Sequence, residues 1–140
     1  RNEILIKHKT EKPKLISKQI KAGEKVKIGN KTLSIEKINP VNIRIIKDSN
    51  IEFISADGLQ SIFHIRNWKN GDKFNPIGMK GTKKVSDYLN DIKMDSFEKK
   101  NQLVLLNNNK IVWIIGKRLD DNFKITSTTK KALKLIISNG

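Results

Sequence analysis

The stretch LVLLNNNKIVWII, residues 103–115, decides the reading of the fold. Two apolar runs, Leu103–Leu106 and Ile111–Ile115, flank the polar turn Asn107–Lys110. A hairpin of buried strands uses all three pieces. Trp113 stands between Val112 and Ile114 and is expected in the core. At 140 residues the chain is one domain or two small ones, long enough to bury such a core.

Working outward, helical spacing appears upstream of the hairpin. Val85, Tyr88, Leu89 and Ile92 stand at i, i+3, i+4 and i+7, which predicts a helix beginning near Lys84. A second short helix is predicted at Ser96–Asn101. Further upstream the chain reads as β. Glu3–His8 is a short apolar run. Val26–Ile28, the turn Gly29-Asn30 and Thr32–Ile38 predict a hairpin. Val41–Ile46, Ile51–Ile54 and Ile62–Ile65 are read as further strands, punctuated by Asn39-Pro40, Asp48-Ser49-Asn50 and Ala56-Asp57-Gly58. Beyond the hairpin, Lys117-Arg118 opens the polar stretch LDDN, Thr126 is expected to cap a turn through Lys131, and Leu133–Ile137 closes the chain as a strand. These elements make an α+β protein. The character of the sequence shifts near Ser55–Gln60, so residues 1–55 are read as a β-rich subdomain and 56–140 as a second unit.

The composition excludes several function classes. There are no cysteines, which removes disulfides, thiolate zinc sites and thiol nucleophiles. No apolar run approaches the roughly 18 residues of a membrane span, and the N-terminal residues lack a secretion-signal core. The chain does not begin with methionine, which points to a piece of a longer protein. The net charge is +15, with Ile, Lys and Asn abundant throughout. The charge concentrates in residues 66–84, where Arg66, Lys69, Lys73, Lys80, Lys83 and Lys84 face only Asp72. Such a surface attracts phosphates without reading sequence, so nucleic acid is the first partner to suspect.

The loop RNWKNGDKFNPIGMKGTKKVSD, from Arg66, carries Gly71, Gly78 and Gly81. Their spacing matches neither GxGxxG nor GxxxxGK[ST], so it is not a nucleotide loop. Two readings stay open. A helix start with two lysines suits a nucleic-acid phosphate, or the glycines serve only a tight turn. Trp68 and Phe74 either anchor this loop to the core or stack on bases. Catalytic constellations are weak. His8 and His64 are far apart, and His64, between Phe63 and Ile65, is read as a partly buried structural residue. Zinc has too few ligands. Asp87 and Asp91 share a helix face and could pair for metal or acid–base work, but are read as a solvated face or as ion pairs with Lys83 and Lys84 at helical spacing. Asp120-Asp121 reads as a turn, and Ser86 has no histidine base in its motif.

The second half resembles the C-terminal domain of the bacterial tRNA(Ile)-lysidine synthetase family. The resemblance rests on ADGL at 56–59, on the stretch from Ile65 to Met94, on IVWIIGKRLDDNFKIT from Ile111 to Thr126, and on TKKALKL at 129–135. It spans about residues 52–136, with Lys73 and Asn122 standing where the family pattern favours arginine. The resemblance implies a sandwich-like arrangement of mixed or antiparallel sheets with one or two short helices, similar to a domain of the phenylalanyl-tRNA synthetase β subunit. It implies a parent ligase that uses ATP, with Mg, to adenylate the wobble cytidine of tRNA(Ile) and free lysine to displace AMP. The SGGxDS loop of that chemistry is not in this sequence, so the chain carries no catalytic residue and no cofactor site of its own. The implied role is tRNA binding towards the acceptor stem, in the cytoplasm. The basic candidates are Arg66, Lys69, Lys73, Lys80, Lys83, Lys84, Lys117, Arg118, Lys124, Lys130 and Lys131. A homodimer is compatible with all of this. The competing reading is a protein-interaction domain with incidental charge, which expects Trp68, Phe74 and Met79 in an exposed apolar patch.

Overall fold

The computed structural model describes residues 14–140, so the strand expected at Glu3–His8 lies outside them. The elements run β1 (Ser17–Lys21), β2 (Lys25–Ile28), β3 (Lys31–Ile38), β4 (Ile51–Ser55), β5 (Ile62–Asn67), β6 (Lys73–Phe74), β7 (Lys83–Lys84), α1 (Val85–Asp91), α2 (Ser96–Asn101), β8 (Leu103–Asn107), β9 (Lys110–Ile114), β10 (Arg118–Leu119) and β11 (Ala132–Asn139). One sheet has the order β1-β5-β8-β9-β10, a second β2-β3-β11-β4, and β6 and β7 form a small ribbon. Every strand pairing is antiparallel.

The hairpin β8–β9 sits between two cores, which is why its strands read as unbroken apolar runs. Leu105 and Trp113 face the second sheet and pack with Leu33, Ile35, Ile54 and Leu135. Val104, Leu106, Ile111 and Ile114 face the other way, against Phe74, Val85, Tyr88 and Leu89. A bulge sets this division. Leu105 pairs with Trp113 and Leu106 with Ile111, leaving Val112 as the extra residue. The result is three layers: the second sheet, the first sheet, then α1 with the β6–β7 ribbon.

The predicted helices form, and α2 spans the expected residues behind a capping box in which Asp95 and Glu98 each satisfy the other's backbone N–H. The apolar stripe of α1 is one residue shorter than its periodicity. The helix ends at Asp91, and Ile92, its C-cap, is 38 % exposed.

Two expectations are corrected. Val41–Ile46 is not a strand. The Asn39 side chain accepts the Val41 N–H and Pro40 starts a single 3-10 turn, Pro40–Asn42. β11 takes the place between β3 and β4 in the second sheet, so these residues do not pair there, and Ile45 is 95 % exposed. His64 is exposed, because strand alternation turns Phe63 and Ile65 inward and His64 out. Conversely, β1 had no signal in the sequence: only Ile20 of its residues is buried, and its pairing with β5 supplies the rest. The stretch Ser55–Gln60 joins β4 in one sheet to β5 in the other, and each sheet takes strands from both sides of it.

Candidate nucleic-acid interface

β5 delivers Arg66 to the base of the glycine-rich loop, and there it turns inward. Its guanidinium makes a two-pronged pair with the Asp72 carboxylate at 2.8 and 3.0 Å and donates to the Asn67 carbonyl. Asp72 also accepts the Lys69 N–H at 2.8 Å. The loop is thus closed by one carboxylate that answers both a cation and a backbone donor. Phe74 is buried edge-on to Tyr88, and the Trp68 indole N–H donates to the Lys99 carbonyl. Both rings anchor the loop, and of the patch expected for an interaction domain only Met79 is largely exposed. Gly78 and Gly81 have φ near +80° and bring Lys80 to the loop tip.

The loop then enters the ribbon. Lys73 pairs directly with Lys84, and Phe74 with Lys83. Lys83 is bonded to Asp91 at 2.6 Å, which holds its ammonium above the usual lysine range. Lys73, Lys80, Lys84 and Lys69 are exposed and, among the described residues, have no carboxylate within ion-pair distance. The helix start offers less than expected, since the Val85 N–H already donates to the Asp72 carbonyl.

The remaining candidates do not join this cluster directly. Arg118 lies half-buried over the Tyr88 ring and donates to the Ile77 carbonyl, so it props the loop from behind. Lys124 pairs with Asp121. Lys117 lines a separate cleft with Lys14 and Met94. Lys130 and Lys131 stand on a cleft of about 570 Å³ that also has Lys37 on its wall. That cleft meets a larger one, of about 720 Å³, at the shared residues Leu59 and Gln60. The larger cleft carries Lys73 and Lys110. Lys37 and Lys110 escaped the sequence reading because one lies within β3 and the other opens β9 just after its turn, each outside any basic run. Among the described residues no group of His, Asp or Glu could hold a metal ion, and no helix is long and apolar enough to cross a membrane.

Two acidic residues build this surface by accepting backbone N–H groups. Asp57 accepts the backbone N–H groups of both Lys130 and Lys131 at 2.8 Å, which is why the ADG turn and the late TKK turn belong together. These two bonds hold the Asp57 carboxyl below its ordinary value. A carboxyl with a lowered folded pKa contributes stability above its unfolded value and loses it as pH falls through the folded one. Thermal unfolding between about pH 5 and 2 should therefore show a shallower acid loss in Asp57→Asn than in the unaltered chain. Equal slopes would mean that the two bonds do not distinguish the charged form. Asp120, 4 % exposed, accepts the N–H groups of Asn75 and Asn122 and ties the loop to the end of the hairpin.

Comparison with known proteins agrees with this architecture. Residues 63–135 match the family model described as the TilS substrate C-terminal domain. A tRNA(Ile)-lysidine synthase of Parabacteroides distasonis is 39 % identical over 102 residues, covering 72 % of this chain and 23 % of that protein. One from Bacteroides thetaiotaomicron is 41 % identical over 92 residues, covering 66 % of this chain and 22 % of that protein. One from Caldanaerobacter subterraneus is 30 % identical across 94 % of this chain and 29 % of its own length. The chain thus spans about a quarter of the curated relatives it matches. A solved TilS C-terminal domain superposes with a TM-score of 0.76 at 13 % identity, over 89 % of this chain and 98 % of that one, and shares the fold. With the match running from β5 into β11, through both cores and the basic loop, the chain belongs to the C-terminal domain family of the tRNA(Ile)-lysidine synthases.

Proposed function

We propose that this chain is the tRNA-binding part of a cytoplasmic ligase that joins lysine to the wobble cytidine of tRNA(Ile) at the expense of ATP, and that it grips the acceptor-stem side. The reaction itself belongs to residues outside this chain. One observation carries the binding role. Lys73 and Lys84 stand opposite each other on the ribbon, both exposed and with no acid to answer them among the described residues. Like charges directly across a ribbon disfavour it, and an RNA phosphate relieves that repulsion. Lys69 and Lys80, on the same loop, extend the positive strip. A-form RNA is met through its phosphates and 2′-hydroxyls rather than its deep groove, so such a strip positions the tRNA and leaves base reading elsewhere.

Replacing Lys69, Lys80 and Lys84 together with alanine removes three free cations and no structural bond. Titration of the chain with tRNA(Ile) at several salt concentrations should show the log–log slope reduced by about two to three and weaker binding at low salt. Unchanged affinity and slope would move the contact away from this loop.

A further inference from the structure

We propose that the cleft of about 720 Å³ between the β8–β9 turn and the glycine-rich loop holds one unstacked nucleotide of a single-stranded RNA segment. The proposal rests on the tRNA-binding reading and goes beyond it, since a duplex backbone needs only the exposed strip of lysines.

The size is that of a small-ligand site, and the chemistry of the walls is specific. Phe74, Ile111 and Phe123 line the cleft and are themselves buried, which gives it an apolar floor. Gln60, Asn108, Asn109 and Asn122, each with a carboxamide side chain, line the same cleft. Gln60 and Asn122 use their backbone groups in the fold, and their side-chain amides have no hydrogen-bond partner among the described residues. Asn75 spends its carbonyl on Thr82 and keeps its NH₂ group. A carboxamide offers a donor and an acceptor side by side, the pattern that pairs with the edge of a nucleobase. Bases in a duplex have those edges occupied, whereas an unstacked base presents them together with a flat apolar face.

The charges favour a phosphodiester at the mouth. Both carboxylates in the cleft are occupied, Asp72 by Arg66 and the Lys69 N–H, Asp120 by the Asn75 and Asn122 N–H groups. Lys73 and Lys110, which also line the cleft, have no carboxylate within ion-pair distance among the described residues. Asn108 and Asn109 have φ of 51° and 63°, so the wall they form is a tight hairpin turn of defined shape. Since this cleft meets the one carrying Lys130 and Lys131 at Leu59 and Gln60, the strand leaving the bound nucleotide has a second basic groove to follow.

The test uses the 140-residue chain with three fluorescent probes: a mixed-sequence single-stranded RNA pentanucleotide, a short blunt RNA duplex, and tRNA(Ile). Gln60→Ala/Asn122→Ala is expected to weaken the pentanucleotide about tenfold and the duplex by less than about twofold, with an unaltered melting curve. Lys73→Ala/Lys110→Ala should lower the salt slope for the pentanucleotide by about one to one and a half. The cleft loses its assignment if the pentanucleotide does not bind while tRNA does. It also loses it if the carboxamide variant weakens duplex and pentanucleotide equally, or if inorganic polyphosphate displaces the pentanucleotide from both proteins alike. Failure of tRNA itself to bind removes the underlying reading as well, and so is told apart from failure of the cleft alone.

Discussion

Asp120→Ala is expected to lower the unfolding free energy by about 3 kcal/mol and the melting temperature by roughly 10 °C. The Asp120 side chain is buried at 4 % exposure and accepts two backbone N–H groups, from Asn75 at 2.8 Å and from Asn122 at 2.7 Å. Alanine leaves both donors without a partner. A donor stranded away from water costs about 1–3 kcal/mol, more than an average hydrogen bond contributes when made. The backbone carries a second consequence, because the Asp120 N–H reaches the Val112 carbonyl at the bulge of β9 and the Asp121 N–H reaches the Asn75 carbonyl. One residue therefore ties the core strand to the basic loop. Asp120→Asn, which keeps one acceptor oxygen, should lose about half as much. Urea unfolding at an unchanged m-value measures both. A loss under about 1 kcal/mol in the alanine variant would show that water or a shifted backbone replaces the carboxylate.

The second large effect has two signs. Asp72→Ala should destabilise the chain by about 2–3 kcal/mol while strengthening its attraction for RNA. The Asp72 side chain is 9 % exposed and that of Arg66 27 %, and their two-pronged contact is short. Breaking a buried pair from one side strands the other charge, which costs about 3–5 kcal/mol in a fully buried setting. The part of Arg66 that reaches solvent reduces that figure here. The Lys69 N–H also loses its acceptor. At the same time the surface gains one positive charge, and the released guanidinium is a stronger phosphate ligand than any lysine beside it, since it bonds with two parallel donors. The salt slope for tRNA should therefore steepen by up to about one as the melting temperature falls. Parallel loss of stability and of affinity would mean that the closed loop, rather than its free charge, is what tRNA meets.

These two carboxylates mark how far the sequence could be read. Strands and helices with strong local patterning were legible: the hairpin 103–115, the strands β2 and β3, the stripe of α1 and the capping box of α2. In each case the side chains that define the element lie within a few residues of one another, and 2- or 3.6-residue periodicity encodes their direction. The edge strand β1 was not legible, because an edge with a single buried residue takes its identity from its neighbour β5. Val41–Ile46 misled for the converse reason: its alternation is that of a strand, but the second sheet pairs β11 with β3 and β4. The basic loop was visible as a concentration of charge, and its glycines as turns.

By itself, then, the sequence determined the α+β class, the buried hairpin, the excess of positive charge and the family pattern that runs through both. Only the tertiary structure decided which of those charges are free. Arg66, Lys83, Arg118 and Lys124 are each engaged by a carboxylate, a carbonyl or a ring, whereas Lys69, Lys73, Lys80 and Lys84 have no acid partner among the described residues. The carboxamide cleft is likewise assembled from segments far apart in the chain, as is the bond from Asp57 to the Lys130 N–H, 73 residues away. The physical reason is range. A hydrogen bond or ion pair is decided within about 3–4 Å in space, and only packing of the two sheets and α1 brings those groups that close.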